Sequence, residues 1–218
     1  MVENQQTRKR GLDPHYPRLL GERLCLDFAN TIEGPRSAKP EDFLCDYTDL
    51  ARWGRHSGVL SEAATAQLLR LAAESPRAAG AAFRRGLALR GAITRVFHAI
   101  ATGATPKPSD LALLQTEYRI AMRHGQLIQT TEQYAWDWPH EGTALDQPLW
   151  PIARSAIDVL THDNPARIKE CPGADDCGWL FYDTSKNGSR RWCSMEGCGS
   201  RLKMRRQYAR RKNGEGQT

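Results

Sequence analysis

The stretch CPGADDCGWLFYDTSKNGSRRWCSMEGCGSRLKMRRQYARRK, residues 171–212, decides the architecture. It holds four of the six cysteines, spaced Cys171-x5-Cys177-x15-Cys193-x4-Cys198. Two close pairs separated by a short insert have the layout of a structural zinc site, in which four thiolates close a tetrahedron around the ion. The segment has too few apolar residues to build a core unaided. A metal crosslink supplies such a module with folding free energy on the order of 10 kcal/mol. Trp179 to Tyr182 read as a strand, Ser185 to Gly188 as a tight turn and Arg191 to Cys193 as a returning strand.

Directly after Cys198 the chain turns basic, with seven Lys or Arg among the twelve residues from Arg201 to Lys212. Across residues 167–212 there are twelve cationic and five acidic side chains, a balance of +7; the remainder of the chain carries −1 of the total +6. A near-neutral body bearing a cationic module points to a polyanionic partner. We read residues 198–212 as a helix anchored by the metal. Leu202 and Ala209 would face the finger, and Arg201, Lys203, Arg205, Arg206, Arg210, Tyr208 and Lys212 would project outward. Arg190 and Arg191 form a second contact strip. The expected partner is duplex DNA, met mostly at its phosphates. The alternative is a zinc-stabilised interaction module that binds RNA, RNA polymerase or an acidic protein. Four thiolates leave no open metal position and residues 163–218 contain no histidine. An enzyme is therefore not expected.

Upstream, the pattern is mainly helical. LLGERLCLDFANTI (19–32) is apolar enough for core, helix or strand. Residues 34–42 read as a loop. A helix is expected to stop near Gly58, and a second to run from a Ser61 cap to Pro76. The longest carries Leu89, Ile93, Val96, Phe97 and Ile100 on one face, with Gly86 and Gly91 suggesting close packing. Ser109 is expected to cap a helix with Leu111, Leu114, Tyr118 and Ala121 inward. At residue 127 the period shifts to two, and Tyr134, Trp136 and Trp138 alternate as in a β-hairpin. Helical spacing returns through Leu149, Ile152, Ala156 and Val159. THDNP (161–165) divides residues 1–165 from 166–218. The fold class expected is mainly α with a small β-hairpin: a helical N-terminal domain, then a four-cysteine zinc finger with a basic helix.

Cys25 and Cys45, flanked by apolar residues, read as buried small hydrophobes. No run is long and apolar enough for a membrane span, and no secretory signal follows the start, so a cytoplasmic protein is expected. The N-terminal domain is expected to form a homodimer, to sense a small-molecule effector, or both. Asp27 and Asn30, with Tyr134, Trp136 and Trp138 as aromatic walls, are the ligand candidates.

Residues 177–212 resemble the CGNR-type zinc finger. The matching positions are Cys177-Gly178, Phe181, Asp183, Ser185, Asn187, Gly188, Arg190 to Met195, Cys198-Gly199 and Arg201; Ser200 stands where that family usually has Asn. LCLDFANT, the tandem helices and ARSAIDVL (153–160) resemble the ABATE domain that usually precedes such a finger. The resemblance implies a bacterial, stress-linked transcription regulator.

Overall fold

A computed structural model describes residues 13–34, 39–131, 133–138, 142–173 and 177–214. The side chains of Arg206 and of residues 210–214 lie outside that description. After a strap without regular structure (13–23) come α1 (Leu24–Ala29), the paired two-residue strands β1 (Ile32–Glu33) and β2 (Glu41–Asp42), α2 (Tyr47–His56), α3 (Glu62–Glu74), α4 (Pro76–Ala101) and α5 (Pro108–His124). The hairpin β3 (Gln126–Gln129) and β4 (Tyr134–Asp137) precedes α6 (Leu149–His162). Strands β5 (Ile168–Glu170) and β6 (Leu180–Tyr182) then lead to a π turn (Met195–Gly199) and α7 (Ser200–Gly214). Among the described residues no helix is long and apolar enough to cross a membrane.

Local chemistry sets the helix ends. Asp46 caps α2 by accepting from the Asp49 N–H at 3.1 Å, and Gly58 leaves that helix at φ +77, a region that favours glycine. Ser61 caps α3 through the Ala64 N–H at 3.1 Å. Pro76 ends α3 and opens α4, where its missing N–H costs nothing. The N-terminus of α5 differs from expectation. Pro108 takes the first helical position with Lys107 before it, so Ser109 lies inside the helix.

The core centres on α4. Leu89, Ile93, Val96 and Phe97 are fully buried, together with Leu26 and Phe28 of α1 and Ile152 and Ala156 of α6. Gly86 allows close packing: a Cβ there would meet the Leu149 and Leu50 side chains at 3.2 and 3.3 Å, and both would have to shift. Gly91 does not, because its Cβ would meet only the flexible Arg95 of its own helix. On α5, Leu114 and Ala121 are buried but Leu111 is exposed. Glu117 takes an inward place instead, because Arg85 binds its carboxylate at 2.7 Å. Cys25 is fully buried, whereas Cys45 is exposed, correcting the expectation for that thiol.

The division at residue 165 is not a break in packing. Ile168, Leu180 and Tyr182 belong to the same apolar cluster as α1 and α4. Leu20 of the strap joins the separate small cluster around Cys171, Phe181, Cys193 and Cys198. Each part of the chain thus completes the core of the other.

Candidate metal centre and basic helix

Strands β5 and β6 pair antiparallel, with Ile168 opposite Tyr182 and Glu170 opposite Leu180. Cys171 follows β5 and Cys177 shortly precedes β6, so the ladder draws the first two thiols together; the Cys171 N–H donates to the Trp179 carbonyl at 2.8 Å. The hairpin expected downstream of Trp179 is corrected here. Leu180–Tyr182 pairs with the segment before the cysteines, and residues 191–193 form no strand, with bends at 192 and 193.

The return to Cys193 is organised by Asp183, which is completely buried. Its carboxylate accepts from Lys169 Nζ at 2.7 Å, Ser185 Oγ at 2.6 Å, and the Ser185 and Arg190 N–H groups at 2.9 Å each. Burial alone would raise its pKa, but the bonds from Lys169 and Ser185 outweigh that and hold it well below the usual carboxylate range. Arg167 Nη1 donates to the Asp183 and Ser185 carbonyls. The Ser185–Gly188 turn closes as expected, with Gly188 at φ +60.

The four sulfurs lie within 4.8 Å of one another. Cys177 to Cys193 and Cys193 to Cys198 are each 3.7 Å apart. A tetrahedron with zinc–sulfur bonds of about 2.3 Å has edges of about 3.8 Å, so the set fits zinc. Backbone geometry agrees with the fit. At Gly173 a Cβ would meet Cys198 Sγ at 2.8 Å and Cys171 Sγ at 3.1 Å, so the chain wraps the sulfurs where only glycine fits. Hydrogen bonds from Cys177 and Cys193 lower the Cys171 pKa and raise their own, and burial adds to the rise. The cluster cannot carry four thiolates unaided; a bound dication supplies the compensating charge. The site is one for a single structural zinc held by Cys171, Cys177, Cys193 and Cys198.

Arg190 does not join a DNA-facing strip. Its guanidinium donates to the Leu20, Trp192 and Cys193 carbonyls, pairs with Glu22 at 3.1 Å and lies 4.5 Å above the Phe181 ring. All three guanidinium nitrogens are engaged in this way, so the expected contact role is corrected to a structural one. Arg191, its neighbour, is exposed beside Trp192. Arg167 and Lys169 are also engaged inside the finger, so part of the +7 is spent internally.

Three exposed cations lie close together on α7. Ser194 caps the π turn through the Gly197 N–H at 3.1 Å, and buried Cys198 within that turn ties the helix start to the metal. Ser200, at the position that departs from the family pattern, donates its hydroxyl to the Met195 carbonyl at 2.9 Å and so closes the turn locally. Arg201, Lys203 and Arg205 are exposed, as are Met204 and Tyr208. Leu202 is half-buried but Ala209 is exposed, so among the described side chains the contact with the body is at the first turn. The side chains of Arg206, Arg210 and Lys212 lie outside the described part.

The ligand candidates are not gathered into one pocket. Asp27 accepts from the Gly21 N–H at 2.7 Å. Asn30 donates to the Leu180 carbonyl at 2.8 Å and accepts from the Leu180 N–H at 2.9 Å. Both side chains are buried and committed to backbone, which removes them as ligand residues. Tyr134 and Trp136 stand exposed on the hairpin. Trp138 donates to the Ala121 carbonyl at 2.9 Å and lines an open groove with Arg23, Arg154 and Asp163.

Two family models match. The ABATE model, described as "Putative stress-induced transcription regulator", covers residues 22–163, and the CGNR zinc finger model covers residues 167–211. No curated protein matches the sequence.

Proposed function

The chain belongs to the ABATE family and carries a CGNR zinc finger, and from that premise we propose that it is a transcription regulator that binds duplex DNA through α7. The observation that carries the reading is the helix itself. It is launched from the turn that holds Cys198, and Arg201, Lys203 and Arg205 are displayed outward along it. Its described side chains past Leu202 show no buried face, so the cations they carry are open to a polyanionic partner. A rigidly held cationic helix fits the width of the major groove and the spacing of phosphates.

We propose further that two copies act together, since one finger of this size contacts few base pairs and a dimer presents two half-sites. The hairpin supports this. Leu127 pairs with Trp136 and Gln129 with Tyr134, which places Leu127, Trp136 and Tyr134 on one exposed face. An isolated two-stranded hairpin is marginal in water, and a second hairpin would cover this face.

Selection of bound sequences from random duplex DNA tests the reading, with a chain ending at residue 199 as the control. Recovery of a motif by the full chain and not by the shortened one is the expected result. Equal retention of duplex DNA, RNA and unrelated polyanions would replace it with the interaction-module reading.

A further inference from the structure

A cleft of about 430 Å³ lies between residues 14–18 of the strap and the zinc centre, within the size range of small-molecule sites. We infer that it is an effector site for a small aromatic carboxylic acid, whose acid group sits between Arg18 and Arg201. The inference deepens the DNA-binding reading, because Arg201 opens the basic helix.

The walls are built for a flat apolar body. Phe43 and Trp179 line the cleft, with Pro14 and Pro17 of the strap, which are stiff and carry no N–H to satisfy. The Trp179 indole is held in place by its N–H bond to the Ile32 carbonyl at 2.9 Å. The strap is equally fixed: His56 Nδ1 accepts from the Asp13 N–H at 3.0 Å, and its Nε2 meets the Pro17 carbonyl at 3.0 Å. The site is therefore largely formed before a ligand arrives, which reduces the ordering cost of binding.

Charge sets the orientation of the ligand. Cys177, Cys193 and Cys198 line the cleft, and a zinc tetrathiolate carries net negative charge, so an acid group is repelled from that side. An aromatic ring is welcome there, because sulfur contacts with ring edges are favourable. The acid group then falls toward Arg18 and Arg201. Arg18 already binds a carboxylate, that of Glu196, at 3.2 Å. Glu196 is 82% exposed in its side chain, so the pair is weak and readily exchanged for a ligand's acid group.

Exchange would have a consequence for DNA. The Arg18–Glu196 pair joins the strap to the turn that launches α7. A ligand acid that takes Arg18 from Glu196 and engages Arg201 withdraws one phosphate contact and loosens that tie. Effector and DNA then oppose each other, each weakening the other by the same factor.

The test uses the full zinc-loaded chain and titrations with benzoate, indole-3-carboxylate, acetate and benzamidine, followed by Trp fluorescence and calorimetry. One of the two aromatic acids should bind at least tenfold more tightly than acetate or benzamidine. Arg18→Glu should invert the order of benzoate and benzamidine while zinc content stays at one per chain, a reversal that mere loss of packing would not produce. Neither aromatic acid binding more tightly than acetate, or an unchanged order in Arg18→Glu, would overturn the site. Aromatic-acid binding that leaves DNA affinity unchanged would overturn the antagonism. DNA binding measured without any acid tests the underlying reading separately.

Discussion

Glu22 and Arg190 lie 168 positions apart in sequence, and their side chains meet at 3.1 Å. Glu22 adopts a left-handed conformation, φ 61, that a non-glycine residue rarely takes. That turn directs its carboxylate to the guanidinium, while Arg190 also holds the Leu20 carbonyl. The finger is thus bolted to the strap by a residue whose backbone bears the strain.

Arg190→Ala should therefore act on stability rather than on DNA contact. Removing a mostly buried, multiply bonded guanidinium costs about 2–3 kcal/mol. Urea unfolding should show that loss, and zinc should leave faster to a chelator. The salt dependence of any remaining DNA binding should keep its slope.

Asn30→Ala removes a two-bond clasp and leaves both the Leu180 N–H and carbonyl without their partner. Buried groups orphaned in this way cost about 2–4 kcal/mol together. The melting temperature should fall while the isolated α7 sequence is untouched. Small-metabolite screens should find no binding change attributable to this residue.

Asp183 links stability to acid. Its folded pKa lies below the unfolded value of 3.8, so its contribution is present above about pH 4 and fades as pH falls through the folded value. At neutral pH Asp183→Asn should be less stable than the parent, and the gap should narrow below about pH 4. Zinc loss also destabilises both proteins in acid, so the difference between them is the quantity to measure. A gap that widens with acid would contradict the assignment.

The hairpin face gives a separate outcome. Trp136→Glu with Leu127→Glu should shift sedimentation of the full chain toward monomer with little change in folding, since both side chains are exposed. Sedimentation unchanged by both substitutions would remove this face as the dimer contact.

The long helices were legible because their signal is local. Leu89, Ile93, Val96 and Phe97 repeat at helical spacing, and all four are fully buried. The cysteine spacing was equally direct, since four thiolates within 28 residues of a weakly apolar segment have few other uses. Strand β5 was not legible, because three residues carry no measurable period. Arg190 and Arg191 are chemically identical neighbours. Contacts that include Leu20 and Glu22, far away in sequence, turn one inward and leave the other exposed. Asp183 was visible only as a matching position of the finger pattern; its buried bonds, and the part of Lys169 in them, depend on the turn that closes around it. Asn30 was visible as a polar residue in an apolar stretch, but its partner, the Leu180 backbone, is a tertiary fact.

The most direct test of the central claim is the salt dependence of duplex DNA binding by the parent and by the triple variant Arg201→Ala, Lys203→Ala, Arg205→Ala. Each phosphate contact contributes about 0.9 to the slope of log affinity against log salt. If all three residues meet phosphates, the slope should flatten by about 2.7 while zinc content and melting temperature stay at parental values. An unchanged slope and affinity in the folded, zinc-loaded triple variant would contradict DNA binding through this helix.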